Sequence, residues 1–509
     1  MVRTDLMLLV VFACSTIAGS EVVGGQPLTQ ASSRSKTSVS HVTVTGPAKT
    51  VKITKTLQLS VSVQPRGAAR RVRWASSDTA RATVNAAGLV TGVRTGTVSI
   101  TATSTADSRK TGSIEITVQC PAPRAVARSS NGDVTWQNWV RDPGCFDYVV
   151  TRDLVQGSGV LTIQPGTVVG FKNDVEMVVT RNGALSAVGD AGQPILLTGT
   201  EKVRGYWRGL RFTDSGSAMN RLDHVTIEYG GSRRVSFNQA ANLAITHGSS
   251  TGRSRVSVSH TMLRESNGYG LFVRAEDELA GFTGNTLTKN ALGPAYVAPP
   301  VVGALQAGNK FTGNDADFVS VPAGGGINNI RRNATWHNIG VPYQILAGAP
   351  NELTVEERAV LRIEPGVDVR FGAGVGMSIL KGSFLVVEGA PNNPVSLHGD
   401  NTQWRGIRVH DSSAYFDHVA IDDAGSARWS GTREPGAVTI MASNGGISKA
   451  TFGAGVSTGG ARYSAVFTHS GTFGSGCPAQ VFVPPPDSVG DHCNAKGVVR
   501  PPVAPGQGR

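Results

Sequence analysis

Short runs in which apolar and polar residues alternate recur along most of the chain. Between positions 41 and 119 they read LQLSVSV at 57–63, VRW at 72–74, ATV at 82–84, GTVSITATS at 96–104 and IEITV at 114–118. A period of two turns one side of each run toward a core, and the glycine, asparagine and aspartate between runs supply turns. The segment therefore predicts a β-sandwich, with Trp74 filling the space between its sheets and Gly88 and Gly96 at turns.

From about residue 130 the runs are three to six residues long: LTI, VVGF, EMVV, ALSAV, ILLTG, GLRF and DHVTIE, with almost no helical periodicity. This region also repeats itself. Thr135-Trp136 returns as Thr335-Trp336, LTIQPGTVVGF at 161–171 as LRIEPGVDVRF at 361–371, and Met177 as Met377, all at an offset of 200. The offset then narrows, so that WRGLRF at 207 matches WRGIRV at 404 and LDHVTIEYGG at 222 matches FDHVAIDDAG at 416. Many short strands with glycine-rich corners fit a right-handed parallel β-helix over about 130–475, in two copies (about 135–330 and 335–475). With ~22–25 residues per coil and ~4.8 Å between coils, it should have about 14 coils and measure about 65 Å. Asn285 and Asn314, each in an FTGN run, are placed to hydrogen-bond along the stack from inside a turn.

Within 41–119, Leu57-Gln58-Leu59, Trp74 with Ser76-Ser77-Asp78, Ala82-Thr83-Val84, Gly88-Leu89-Val90-Thr91-Gly92, Gly96 and Ile100-Thr101-Ala102 closely resemble the group 2 bacterial Ig-like family. The resemblance implies a spacer module of surface proteins. The L-x-I-x-P-G-x-x-V-x-F, W-R-G-(L/I)-R and D-H-V-x-I runs look like the parallel β-helix repeats of bacterial surface proteins, a likeness that implies fold and location but no catalytic residues. The expected fold class is all-β, an Ig-like β-sandwich plus a long right-handed parallel β-helix.

Composition agrees with short strands and tight turns: glycine is 63 of 509 residues, while aromatic residues are 6% and charged residues 17%. The net charge is +12, and 36 of the 48 basic residues are arginine. They form scattered pairs, Arg70-Arg71, Arg233-Arg234 and Arg331-Arg332, rather than the stripe a nucleic-acid binder presents. Bidentate arginines suit carboxylates and phosphates, so acidic polysaccharide is the expected partner and nucleic acid is not.

Residues 1–20, MVRTDLMLLVVFACSTIAGS, have the layout of an export signal. Cleavage near Ala18-Gly19-Ser20 would release the protein, whereas cleavage before Cys14 resembles a bacterial lipobox and would make the lipid anchor the chain's one link to a membrane. Residues 20–40 read as a flexible linker, and 476–509 as a C-terminal cap with a Pro-rich tail. The expected location is thus the outer membrane or cell surface, or the medium. The four other cysteines would pair locally in an exported chain, Cys120 with Cys145 and Cys477 with Cys493.

Chemistry is sparse. A polygalacturonase-like site would need clustered Asn-Thr-Asp, Asp-Asp, Gly-His-Gly and Arg-Ile-Lys elements, and Asp422-Asp423 stands alone. Asp223-His224 and its copy Asp417-His418 are the nearest match to a pectate-lyase-like site, but their recurrence reads as a repeated turn. Asp417, Asp422 and Asp423 could hold a hard cation such as Ca²⁺, and no other cofactor is expected. Tyr206, Trp207 and Arg208, with Trp404, Arg405 and Trp429, combine stacking surfaces with guanidinium groups and so suit acidic sugars. The same tryptophans could instead cover the hydrophobic stack. These observations point to a non-catalytic surface display or adhesion protein with a glycan-binding face. A polysaccharide lyase or glycoside hydrolase, or a purely structural envelope protein, are the alternatives.

Overall fold

The computed structural model describes residues 37–234, 239–248, 252–430, 435–443, 448–459 and 466–470, together with the short strands His492–Cys493 and Val499–Arg500. Cys14 and Cys477 lie outside the described residues, and with them the lipidation site and the Cys477 to Cys493 pairing. The chain is all-β and forms two compact units.

The first unit is antiparallel. His41–Thr45 pairs with Ser60–Gln64. Thr50–Lys52, Thr111–Gln119, Gly96–Ser104 and Val72–Ser76 form a four-stranded sheet, and Thr56–Gln58, Leu89–Gly92 and Ala82–Val84 a three-stranded one. Alternation along Gly96–Ser104 buries Val98, Ile100 and Ala102, and Val42, Ala82, Val90 and Ile116 of the other strands are buried as completely. Trp74 stands directly opposite Ala102, on the buried face of the four-stranded sheet. It is half-buried and lies over Gly88, where a Cβ would come within 2.8 Å of its ring. Gly88 has φ +78°, so the turn and the indole both require glycine there.

The second unit is a parallel β-solenoid of about 11 turns. Its core is one continuous column of Val, Ile, Leu, Phe and Trp running from Trp136 to Val456. The expectation of 14 coils is too high because coil length varies. Leu161 pairs with Leu185, a step of 24 residues, but Leu222 pairs with Val258, a step of 36, and Ile421 with Thr458, a step of 37. Insertions at the corners lengthen those coils without adding height.

Asparagine ladders tie successive coils together. Asn285 Nδ2 donates to Val258 O at 3.0 Å and to Asn309 Oδ1 at 3.0 Å. Asn290 Nδ2 donates to Leu263 O at 3.1 Å and to Asn314 Oδ1 at 2.9 Å. Asn285 and Asn314 therefore do bond along the stack, in two separate ladders. Near the start of the solenoid, a disulfide joins Cys120 to Cys145 across a separation of 25 residues.

The two copies do not stack in phase. Val168–Phe171 belongs to a seven-stranded sheet, yet its duplicate Asp368–Phe371 belongs to the seventeen-stranded sheet. In that sheet it stacks through Tyr343–Leu346, Val319–Pro322 and Gly293–Val297 upon the line that includes Gly209–Thr213, whose own duplicate Gly406–His410 lies in a separate five-stranded sheet. The second copy has moved by one face of the solenoid. At this seam the element following Glu278–Thr283 and Gly293–Val297 is the 3-10 helix Pro299–Ala304, with proline at its first positions. Proline brings no N–H to a ladder and fixes φ, so a strand is interrupted where the copies meet.

A polar groove at the seam between the copies

The interrupted coil leaves a groove of about 870 Å³. One wall comes from the corners preceding Arg255–Ser259 and Glu278–Thr283, which contribute Arg253 and Glu276, and from the first residues of those strands, Arg255 and Glu278. Pro300, Val301, Gly303 and Ala304 of the 3-10 helix form its floor, and Arg331, Arg332, Thr335, His337 and Glu357 the opposite wall.

Most charges in the groove are fixed by opposite charges one coil away. Arg255 Nε meets Glu278 Oε1 at 3.0 Å, Arg253 pairs with Glu276, and His337 Nδ1 lies 3.0 Å from Glu364 Oε2. Arg331 reaches Glu356 at 3.0 Å and Glu357 at 3.2 Å. Glu356 also binds Lys381 at 2.6 Å and accepts from Asn329 Nδ2 at 2.7 Å. Burial opposes ionisation of Glu356, but these hydrogen bonds and charges outweigh it and hold its pKa at about 2. Glu276 is likewise held below the usual carboxylate range, first by its hydrogen bond from Arg253. Beneath the wall, Asp277 is buried against His247 at 3.0 Å and accepts from Ser254 N at 2.8 Å. Burial raises its pKa. Arg332 is exposed and carries no ion pair among the described residues.

The binding residues expected from sequence lie elsewhere, and the rings among them are mostly inside the protein. Trp207 is fully buried and stacks on Phe171 at 4.0 Å, while its Nε1 donates to Glu228 O at 2.8 Å. Trp404 repeats this, stacking on Phe371 at 4.0 Å and donating to Asp422 O at 2.7 Å. Trp429 is buried beneath Arg405 and Arg408, and a Cβ at Gly376 would come within 2.2 Å of its ring. None of these three indoles offers a face to a sugar, because Trp207 and Trp404 fill the column that the duplicated motif builds and Trp429 is buried outside it under two guanidinium groups. Arg405 is turned to Glu352, and Arg208 to Asp153, Asp174 and Glu176. Tyr206 is half-exposed, its hydroxyl accepting from Thr200 and donating to Glu201.

The acidic trio is not brought together either. Asp417 lies 3.3 Å from His418, while Asp422 and Asp423 accept the indole and backbone N–H of Trp404 through their carbonyls. Among the described residues, the three metal-ligand side chains whose donor atoms do gather are Asp223, His224 and His260. The groove itself was not foreseen. Arg331-Arg332 was visible as a basic pair, but nothing local in the sequence joins it to residues 253–278.

Comparison with known proteins bears on the first unit and on part of the chain. A stretch of 103 residues, 19% of this chain, is 46% identical to a 3-O-alpha-D-galactosyl-alpha-L-arabinofuranosidase of Bifidobacterium longum subsp. longum. The match spans 9% of that relative's length. Residues 38–114 match the family model of the bacterial Ig-like domain (group 2), which agrees with the antiparallel strands, the Trp74–Gly88 contact and the motifs described above; the first folded unit is a bacterial Ig-like domain of group 2.

Proposed function

We propose that this is an extracellular glycan-binding protein, a surface display or adhesion component that holds its ligand in the seam groove. The observation that carries this reading is the groove: a cleft of about 870 Å³ whose walls are arginine–carboxylate pairs held in place by neighbouring coils. Planar groups fixed in this way can donate and accept hydrogen bonds to sugar hydroxyls without first being ordered, which lowers the entropic cost of binding. Arg332, facing the cleft without an ion pair among the described residues, is the group that would meet the carboxylate of an acidic sugar. The Ig-like module and the glycosidase relative support a location outside the cell or on its surface. An anchor through Cys14 is part of the proposal.

A second reading, hydrolysis of a glycan, is favoured by the name of that relative and by Glu276, Glu278 and Glu357 in the groove. A general acid needs a carboxyl raised toward neutrality. Glu276 is lowered, and Glu278 and Glu357 are each turned to an arginine, which favours binding over catalysis. A glycan array probed with the purified chain, then incubation of each bound glycan and assay for new reducing or unsaturated ends, separates the readings. Binding without new ends supports the proposal. New ends would establish the enzyme, and an array with no bound glycan would leave a structural envelope protein.

A further inference from the structure

We propose that Asp223, His224 and His260 form a binding site for a divalent transition-metal ion of the zinc type. Asp223 ends the strand Arg221–Asp223, and His224 occupies the left-handed corner that follows, with φ +51°. One coil later His260 takes the same corner with φ +44°, so the two imidazoles stack with centroids 4.6 Å apart. Asp223 Oδ1 lies 3.0 Å from His224 Nδ1 and 3.0 Å from His260 Nδ1. One donor atom from each residue falls within 4.8 Å of the others. His224 Nδ1 is buried and makes no hydrogen bond, a state it shares with His418 Nδ1 at the duplicate corner, so what sets this corner apart is the second imidazole. Two imidazole nitrogens and one carboxylate oxygen are the donor set of an open zinc site, in which water fills the remaining position. Ca²⁺ would need six to eight oxygens, which this corner does not offer.

The second copy provides an internal comparison. Asp417-His418 adopts the same corner, with His418 at φ +48° and Asp417 Oδ1 3.3 Å from its Nδ1. His224 N donates to Ser259 O just as His418 N donates to Ala454 O, so the residue corresponding to His260 is Gly455. The Asp-His corner therefore forms without a second histidine, and the fold alone does not explain one. A non-glycine residue at such a φ costs about 1 kcal/mol or more, and the corresponding corner of the next coil is Gly284, at φ +66°. His260 accepts that cost and remains half-exposed, open to an incoming ion.

The test uses the full chain, stripped of metal with a chelator and titrated with Zn²⁺ by calorimetry and with Co²⁺ by visible absorption. A single saturable site with the d–d bands of nitrogen and oxygen ligation is expected, lost in both His260→Gly and Asp223→Asn. His260→Gly installs the residue that the second copy carries at a conformation glycine favours, and an unchanged circular dichroism spectrum would show that the fold is kept. If the parent chain takes up no stoichiometric metal, or if uptake and spectrum persist in His260→Gly, the proposal is overturned.

Discussion

Glu356 fixes the far wall of the groove, and replacing it with glutamine tests how much. Its side chain is 6% exposed and holds Arg331, Lys381 and Asn329. The difference between the usual value near 4.5 and its pKa of about 2 corresponds to about 3 kcal/mol of preference for the ionised form in the folded state. Arg331 and Lys381 are 38% and 63% exposed, so solvent screens them and the loss on substitution should be nearer 1–2 kcal/mol. That energy is local. Ile330 N donates to Thr354 O and Glu356 N to Ile330 O, and these bonds join the two coils at the seam. Hydrogen exchange of peptides covering 326–331 and 352–363 should therefore speed up about 5- to 30-fold in Glu356→Gln at pH 7, with the Ig-like domain unaffected. Because the folded pKa is depressed, the stabilisation is present above pH ~4.5 and is lost as pH falls from there through about 2. The ratio between variant and parent should shrink toward one over that window. A ratio below twofold at pH 7, or one that persists unchanged at pH 2, would refute the reasoning.

Three further outcomes follow from the same contacts. Trp404→Ala should destabilise the solenoid by about 3–5 kcal/mol, read as a lower urea midpoint, and leave any glycan affinity unchanged; a sugar platform would do the reverse. Asn290→Ala removes the acceptor of Ser266 N and the side-chain donor to Leu263 O and Asn314 Oδ1, the last keeping the backbone N–H of residue 290, and should cost about 1–3 kcal/mol by the same assay. Reducing the Cys120–Cys145 disulfide frees a closed segment of 25 residues and should lower stability by about 3 kcal/mol, seen as faster proteolysis between those residues.

Much of the architecture could be read from residues that recur. The final Phe of L-x-I-x-P-G-x-x-V-x-F and the Trp of W-R-G return together in both copies, and in the structure they are stacking partners, Phe171 with Trp207 and Phe371 with Trp404. That joint recurrence was the available sign that these tryptophans face inward, and reading each motif alone left the sugar platform open. The one-face shift between copies could not be read, because it depends on where coils gain residues and strands stop, and the Pro299-Pro300 interruption has no duplicate. The groove was hidden for the same reason: it assembles residues between 216 and 357 from successive coils. His260 was invisible to a repeat-based reading, since its counterpart is Gly455.

The central claim, that the seam is a glycan-binding face, is tested most directly by calorimetry with the best ligand from the array. Parent chain, Arg331→Ala, Arg332→Ala and, as a control remote from the groove, Tyr206→Ala should be compared at one salt concentration. The account predicts at least about a tenfold loss of affinity in both arginine variants, about 1.4 kcal/mol, and none in Tyr206→Ala. Equal affinities across all four proteins, or a loss confined to Tyr206→Ala, would contradict it.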